Sequence, residues 1–204
     1  MHEDELMRKA VAGVDVVPIF GVPGSGKTSL AMGLSRMLHT YMFVSSGQIV
    51  RRIGVNKIEG DEMRKTGLYP HESVLRGRIA QYILDCRHAR PFVQTILMDG
   101  FPRTQDQVRW LFGAGAFVSA SIWLTARDWR ERLARRARED QRVEEDRAIK
   151  QLGLIEDAAF ELYDRGIRNV IIDTTSMSEA EVRTAAIRGM NRQIGITTIE
   201  KGVK

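Results

Sequence analysis

Apolar residues come in short runs separated by helix-like stretches along most of the chain. Val16–Phe20 is an apolar run that ends in glycine, the mark of a buried strand. Pro18 inside it removes one ladder donor and argues against a full-length strand. Residues 27–39 have the apolar period of a helix. Met42–Val44 reads as a second strand. Residues 49–89 read as mostly helical, with a break at Gly67 to Pro70. Thr95–Met98 is a third strand ending at Asp99. Gln105–Phe112 reads as a helix, Phe117–Leu124 as a fourth strand and Asp128–Arg138 as an arginine-rich helix. Glu145–Arg165 is a further helix, Asn169–Ile172 a fifth strand, and Ser178–Met190 a last helix with Ser178 as N-cap. Strands that alternate with helices predict a parallel sheet covered on both faces. Ligands in such sheets bind beyond the carboxyl ends of the strands, which directs attention to Gly21, Ser45, Asp99, Thr125 and Asp173.

Composition narrows this only a little. The chain has 204 residues, 43% hydrophobic and 28% charged, as in an ordinary globular protein. No apolar run reaches the roughly 18 residues of a membrane-spanning helix, and no membrane partner is expected. The first residues lack an apolar signal core. Cys86 is the single cysteine, so no disulfide framework is expected, and a cytoplasmic setting fits. The net charge of +5 suits a polyanionic ligand. Eight arginines and no lysine fall between Arg127 and Arg147, interleaved with seven acidic residues. Arginine's planar fork matches phosphate oxygens, although a solvated helix accounts for such a segment equally well.

Gly21-Val-Pro23-Gly24-Ser25-Gly26-Lys27-Thr28 satisfies G-x-x-x-x-G-K-[ST]. Its glycines let successive backbone N–H groups point at phosphate oxygens. Lys27 can reach the terminal phosphates, and the hydroxyls that follow lie near a magnesium ion. A strand before the loop and a helix after it supply the context this motif needs. Asp99-Gly100-Phe-Pro-Arg103-Thr104 follows the third strand. Asp99 is placed to hold Mg2+ through water, and Arg103 to grip a second phosphate.

With these motifs the sequence resembles the adenylate kinases, within the nucleoside monophosphate kinase family. GVPGSGKTS is similar to the family's GxPGxGKxT. Val44-Ser-Ser-Gly-Gln-Ile-Val-Arg51 is similar to its acceptor segment, and MDGFPRTQDQ to its LDGFPRTxxQ. Arg132-Leu-Ala-Arg-Arg136 and Arg142-Val-Glu-Glu are similar to its lid motifs, and IIDTTSMSEAEV to its last strand and turn. The matches run in order over about residues 16–185.

The resemblance implies a P-loop three-layer α/β/α fold: a five-stranded parallel sheet with a helical NMP-binding insertion (about 45–75) and a short lid (about 136–146). The domain would cover 16–190, with 1–15 an N-terminal extension, possible as a helix, and 191–204 a tail. The implied reaction is reversible transfer of the γ-phosphoryl group of ATP to AMP. Gly21, Pro23, Gly24, Ser25, Gly26, Lys27, Thr28, Ser29, Arg132 and Arg136 would bind ATP. Ser46, Gly47, Arg51, Tyr69, Gly100, Arg103 and Gln107 would bind AMP, with Gln107 reading the adenine edge. Lys27, Arg103, Arg136, Arg142 and Arg147 would act on the transferring group, and Asp99 and Thr28 on Mg2+. Arg136 and Arg142 stand six apart, which leaves no room for a long, zinc-bearing lid, so no zinc is expected. ATP and AMP are the implied partners, nucleic acid is not, and a monomer is expected. Gln48 departs from the family's aspartate, Glu144 and Glu145 from its paired aspartates, and Thr28-Ser29 from its small residue and threonine. The second lid arginine is read as Arg147 by counting back from Gly166; counting forward from Arg142 lands on Gly153. A UMP/CMP-type kinase and a catalytically degenerate nucleotide-binding member are the alternatives.

Overall fold

The structure, a computed structural model, describes residues 3–135 and 141–191, with the side chains of Arg64 and of residues 141–144 left out. The elements run α1 (Glu3–Val11), β1 (Asp15–Gly21), α2 (Lys27–Met37), β2 (Tyr41–Ser45), α3 (Ser46–Ile53), α4 (Lys57–Thr66), α5 (Glu72–Ala89) and β3 (Thr95–Asp99). They continue with α6 (Gln105–Gly113), β4 (Ala120–Thr125), α7 (Trp129–Ala134), α8 (Gln141–Asp164), β5 (Arg168–Asp173) and α9 (Glu179–Asn191). The five strands form one parallel sheet in the order β2-β3-β1-β4-β5. This is the parallel sheet that the alternating pattern predicts, in the P-loop α/β fold that the resemblance implies. Among the described residues no helix is long and apolar enough to cross a membrane.

Side-chain alternation along the strands builds two cores. Val17 and Ile19 of β1, Leu97 of β3 and Ile122 and Leu124 of β4 face Leu30 and Leu34 of α2 and Val182 and Ala186 of α9. The alternate residues, Val16, Phe20, Ile96 and Met98, face α1, α5, α6 and α8. The N-terminal segment read as an extension contributes Met7, Ala10 and Val11 to this second core, and α1 packs along α5.

Pro18 sits inside the central strand, yet no ladder bond is lost. Asp15 N–H donates to Gln94 O on the β3 side, and Val16 N–H to Phe117 O on the β4 side. The direction alternates, so Pro18 would have donated toward β4. There the ladder begins only at Ile19, opposite Ile122, after an isolated Asp15–Phe117 bridge. One extra residue on the β4 side separates bridge from ladder. Ser119 fills the gap, its N–H and hydroxyl donating to the Asp15 carboxylate at 2.9 and 2.5 Å. The fourth strand is therefore Ala120–Thr125 rather than Phe117–Leu124.

Other boundaries move for local reasons. The 49–89 stretch holds three helices. The first already starts at Ser46, because Ser45 caps it by accepting from Gln48 N–H at 3.4 Å. It stops at Gly54, with φ +83°, and Asn56 and Glu59 form a capping box that starts α4. The break from Gly67 to Pro70 is present as read. α7 is Trp129–Ala134, while residues 136–138 of the helix read to Arg138 lie outside the described residues; α8 starts at Gln141, ahead of Glu145.

At the far end of the sheet Gly189 of α9 lies against Val170 of β5, where an added Cβ would run into both valine methyls. Its carbonyl accepts from Arg168 Nη1 at 3.0 Å, which fixes the approach. Gly189→Ala gains about 1 kcal/mol of helix propensity and suffers roughly 1–3 kcal/mol of overpacking. A net loss of stability is expected in urea unfolding with an unchanged m-value; a gain would mean that α9 shifts without cost.

Candidate active site

The loop after β1 curls tightly because two of its glycines leave no room for a side chain. Gly21 has φ +140°, and a Cβ there would overlap Leu124 O of β4 and come within 2.6 Å of Ser25 Oγ. Gly24, at φ +88°, lies against α7, with Arg132 Cβ 3.2 Å from its own would-be Cβ. The loop ends at Gly26, in the left-handed region, which starts α2 without a side-chain cap and with no acid in its first turn. Such a helix end offers unpaired N–H groups and a positive dipole to an anion. Lys27 Nζ folds back over the loop and donates to Gly21 O at 2.7 Å and Val22 O at 2.9 Å. Thr28 Oγ1 donates to Asp99 Oδ2 at 2.7 Å, so the loop and the end of β3 meet through a hydroxyl and a buried carboxylate.

Beyond Asp99 a second polar cluster forms around Gly100 and Arg103. Gly100 has φ +77°, and a Cβ would fall 2.6 Å from Ser46 Oγ and 3.0 Å from Arg103 Nη2. Its carbonyl accepts from Ser46 Oγ at 2.7 Å and from Arg103 Nε at 2.8 Å. Arg103 Nη1 donates to Gly67 O at 2.9 Å. Burial pushes the Arg103 guanidinium below the usual arginine range; Asp99 opposes this and Arg147 adds to it. Arg147 thus lies near enough to Arg103 for the two charges to be felt, and its Nε is buried. Gln107 is also buried, and its Oε1 accepts from Arg103 N–H at 2.6 Å. Thr104 caps α6 by accepting from Gln107 N–H.

Arg51 is exposed and lies back over the start of α3, its Nη1 3.6 Å from a would-be Cβ on Gly47. Tyr69 is buried edge-on to His71, with ring centroids 5.7 Å apart. Its burial, and then the nearby Glu59 carboxylate, raise the phenol above its ordinary range.

Behind the phosphate loop lies a cleft of about 300 Å3, lined by Ser29, Leu30, Arg132, Thr174, Met177 and Val182 among others. Arg132 is held in its wall. Its Nε donates to Asp128 Oδ2 at 2.9 Å, and its Nη1 and Nη2 donate to Thr174 Oγ1 at 3.2 Å and Thr174 O at 2.8 Å. Thr174 Oγ1 also reaches Thr125 O at 3.0 Å and Ser25 O at 3.2 Å. This threonine, which the sequence did not single out, ties the phosphate loop, β4, α7 and the turn after β5 to one point. Its position directly after Asp173, at the carboxyl end of a strand, was the available signal. Arg136 and the Arg142 side chain lie outside the described residues.

The carboxyl ends of the five strands therefore carry two adjoining polar sites, one on the loop from Gly21 to Thr28 and one around Arg103. Over 109 residues the chain is 28% identical to an adenylate kinase of Mycoplasmopsis pulmonis, a stretch that is 52% of this chain and 49% of that protein. The chain thus matches about half the length of this curated relative. Residues 20–153 match the family described as AAA domain. That match starts on the strand leading into the phosphate loop and runs past Arg147, well over half of the sequence, and the chain belongs to the AAA-domain family.

Proposed function

We propose that the protein is an adenylate kinase, transferring the γ-phosphoryl group of ATP to AMP to give two ADP. The observation that carries this reading is Arg103, a second cationic group anchored on two carbonyls beyond Asp99. A nucleotide switch or a hydrolase has no use for an acceptor-phosphate site at that point.

ATP would lie with its phosphates on the loop and its base in the cleft between Leu30, Met177 and Val182. Lys27 Nζ would exchange its two loop carbonyls for phosphate oxygens, a charge-assisted bond in place of neutral ones. Arg103 and Arg51 would hold the AMP phosphate, so that one of its oxygens faces the γ-phosphorus in line with the leaving ADP. One P–O bond forms as the other breaks, and no proton transfer or covalent enzyme intermediate is needed. Arg147, close to Arg103, would add positive charge where it develops on the equatorial oxygens. Residues about 45–75 then serve as the acceptor-binding region and about 136–146 as a lid that excludes water.

The Thr28 hydroxyl and the Asp99 carboxylate, already in contact, are hard oxygen donors of the kind Mg2+ takes alongside phosphate and water. They fit the metal, which when bound to ATP would neutralise the phosphate charge.

A coupled assay offering AMP, CMP, UMP and GMP tests the proposal, with turnover expected for AMP. ATP hydrolysis alone, or no turnover with any acceptor, would reject it. A UMP/CMP-type acceptor is the second reading, because Gln107 Oε1 already accepts from Arg103 N–H, which ties its amide to the backbone and limits how it can turn toward a base. Gln107→Ala separates the two. An adenine reader should lose about tenfold in KM for AMP, the worth of a hydrogen bond, with kcat little changed. Unaltered acceptor preference would favour the second reading.

A further inference from the structure

Ten large apolar side chains are exposed among the described residues, and four of them gather on one face. Phe160 is 65% exposed, Tyr163 60% and Ile149 53%, all on α8; Ile171, on β5, is 50% exposed. Phe160, Tyr163 and Ile171 line a groove of about 370 Å3 with Trp123 and Ala159. Ile149 continues the same stripe, since 149, 153, 156, 160 and 163 share one side of a helix. The stripe runs beside the buried one of Ala148, Ile155, Ala159 and Leu162, so α8 is apolar over a much wider arc than its own core needs. Gly153 lies in the middle of the stripe, and a Cβ there would meet nothing. The groove opens beside β5, a sheet edge with no further strand among the described residues.

The geometry points to a second copy of this chain as the occupant, with two α8 helices crossing antiparallel at Gly153 about a two-fold axis. The charges beside the stripe are self-complementary in that arrangement. Lys150 of each copy faces Glu156 and Asp157 of the other, and none of the three has a hydrogen bond or ion pair in its own chain among the described residues. Asp146 and Asp164 share the flank but fall toward its ends, where solvent screens them. The glycine lets the helices approach closely, and Ile149 of one copy enters the apolar groove beside Phe160 of the other. Two-fold pairing uses the same patch twice, so one self-complementary stripe suffices. This inference does not depend on the reaction assigned above, and it departs from the expectation of a monomer.

Sedimentation equilibrium on the full chain between about 1 and 100 μM is expected to show twice the mass of one chain. Phe160→Glu should weaken dimerisation roughly thirtyfold or more, as loss of an aromatic anchor does. Lys150→Glu should weaken it about tenfold, and adding Asp157→Lys to that variant should restore most of the loss. All of these residues are exposed, so thermal stability at high dilution reports whether each variant still folds. A monomer at every concentration overturns the proposal. If that monomer loses several degrees of Tm on Phe160→Glu, the face is covered by its own chain; if it does not, the face is bare. A dimer unmoved by all three variants uses another surface and overturns the proposal equally.

Discussion

If AMP is the acceptor as proposed, Lys27→Ala is expected to lower kcat for phosphoryl transfer about a thousandfold, the upper range for removing one preorganised charge stabiliser. The reason lies in where the side chain rests. Its Nζ sits on Gly21 O and Val22 O, two neutral acceptors that a phosphate oxygen outcompetes. Removing it takes away a cation whose best partner exists only as charge moves onto the transferring group. Gly21 and Val22 are buried; Val22 O keeps the Ser25 N–H at 3.1 Å, so the cost falls on Gly21 O, about 1–3 kcal/mol for a buried acceptor left unmade, and Tm should fall by several degrees as well. KM for ATP should rise far less than kcat falls, because the backbone N–H groups of the loop and the end of α2 still bind phosphates. Steady-state kinetics with calorimetry on the same preparation checks this. A variant that keeps a tenth of its kcat would leave Lys27 as a loop brace and no more.

Arg103→Met should act on two levels at once. For catalysis, if Arg103 holds the acceptor phosphate as proposed, kcat/KM for the acceptor should fall at least a hundredfold with the loss of that fixed guanidinium. For stability, the carbonyls of Gly100 and Gly67 lose a charged donor; Gly100 O keeps Ser46 Oγ, so the cost falls on Gly67 O, about 1–3 kcal/mol for a buried acceptor left unmade. The two effects separate with Arg103→Lys. A single ammonium can serve one carbonyl and keep the charge, but it cannot bridge both and still present a fork to phosphate. Part of the lost stability should return in that variant while most of the acceptor defect remains. Equal recovery of both would make Arg103 a strut between β3 and the acceptor region; full loss of stability with normal acceptor kinetics would say the same.

Much of the fold was legible because a parallel sheet buried on both faces writes its strands as short apolar runs. The loop was legible because Gly21, Gly24 and Gly26 serve steric needs that no other residue meets. The parts that escaped are set by partners distant in sequence. The start of β4 cannot be read from Phe117 onward, since it is fixed by a proline in β1 and by the Asp15 carboxylate. Thr174 looks like an ordinary turn threonine until Arg132, on another helix, is placed beside it. Arg103 was found from its motif, but its second anchor, Gly67 O, comes from a break between helices that sequence showed only as a break. The N-terminal helix was missed as core because its few apolar residues are spread among charges.

Gly67 touches both Arg103 and α8. Its carbonyl is held by Arg103, and its left-handed backbone, at φ +76°, brings it against Gln151 and Leu154 of α8. If donor and acceptor bind as proposed, a phosphate that draws Arg103 forward also pulls on this joint, and through it on the helix that carries Arg147. The occupancy of one substrate then biases the affinity for the other, by the same factor in either direction. A glycine that binds neither nucleotide would make the enzyme sense its two substrates as a pair.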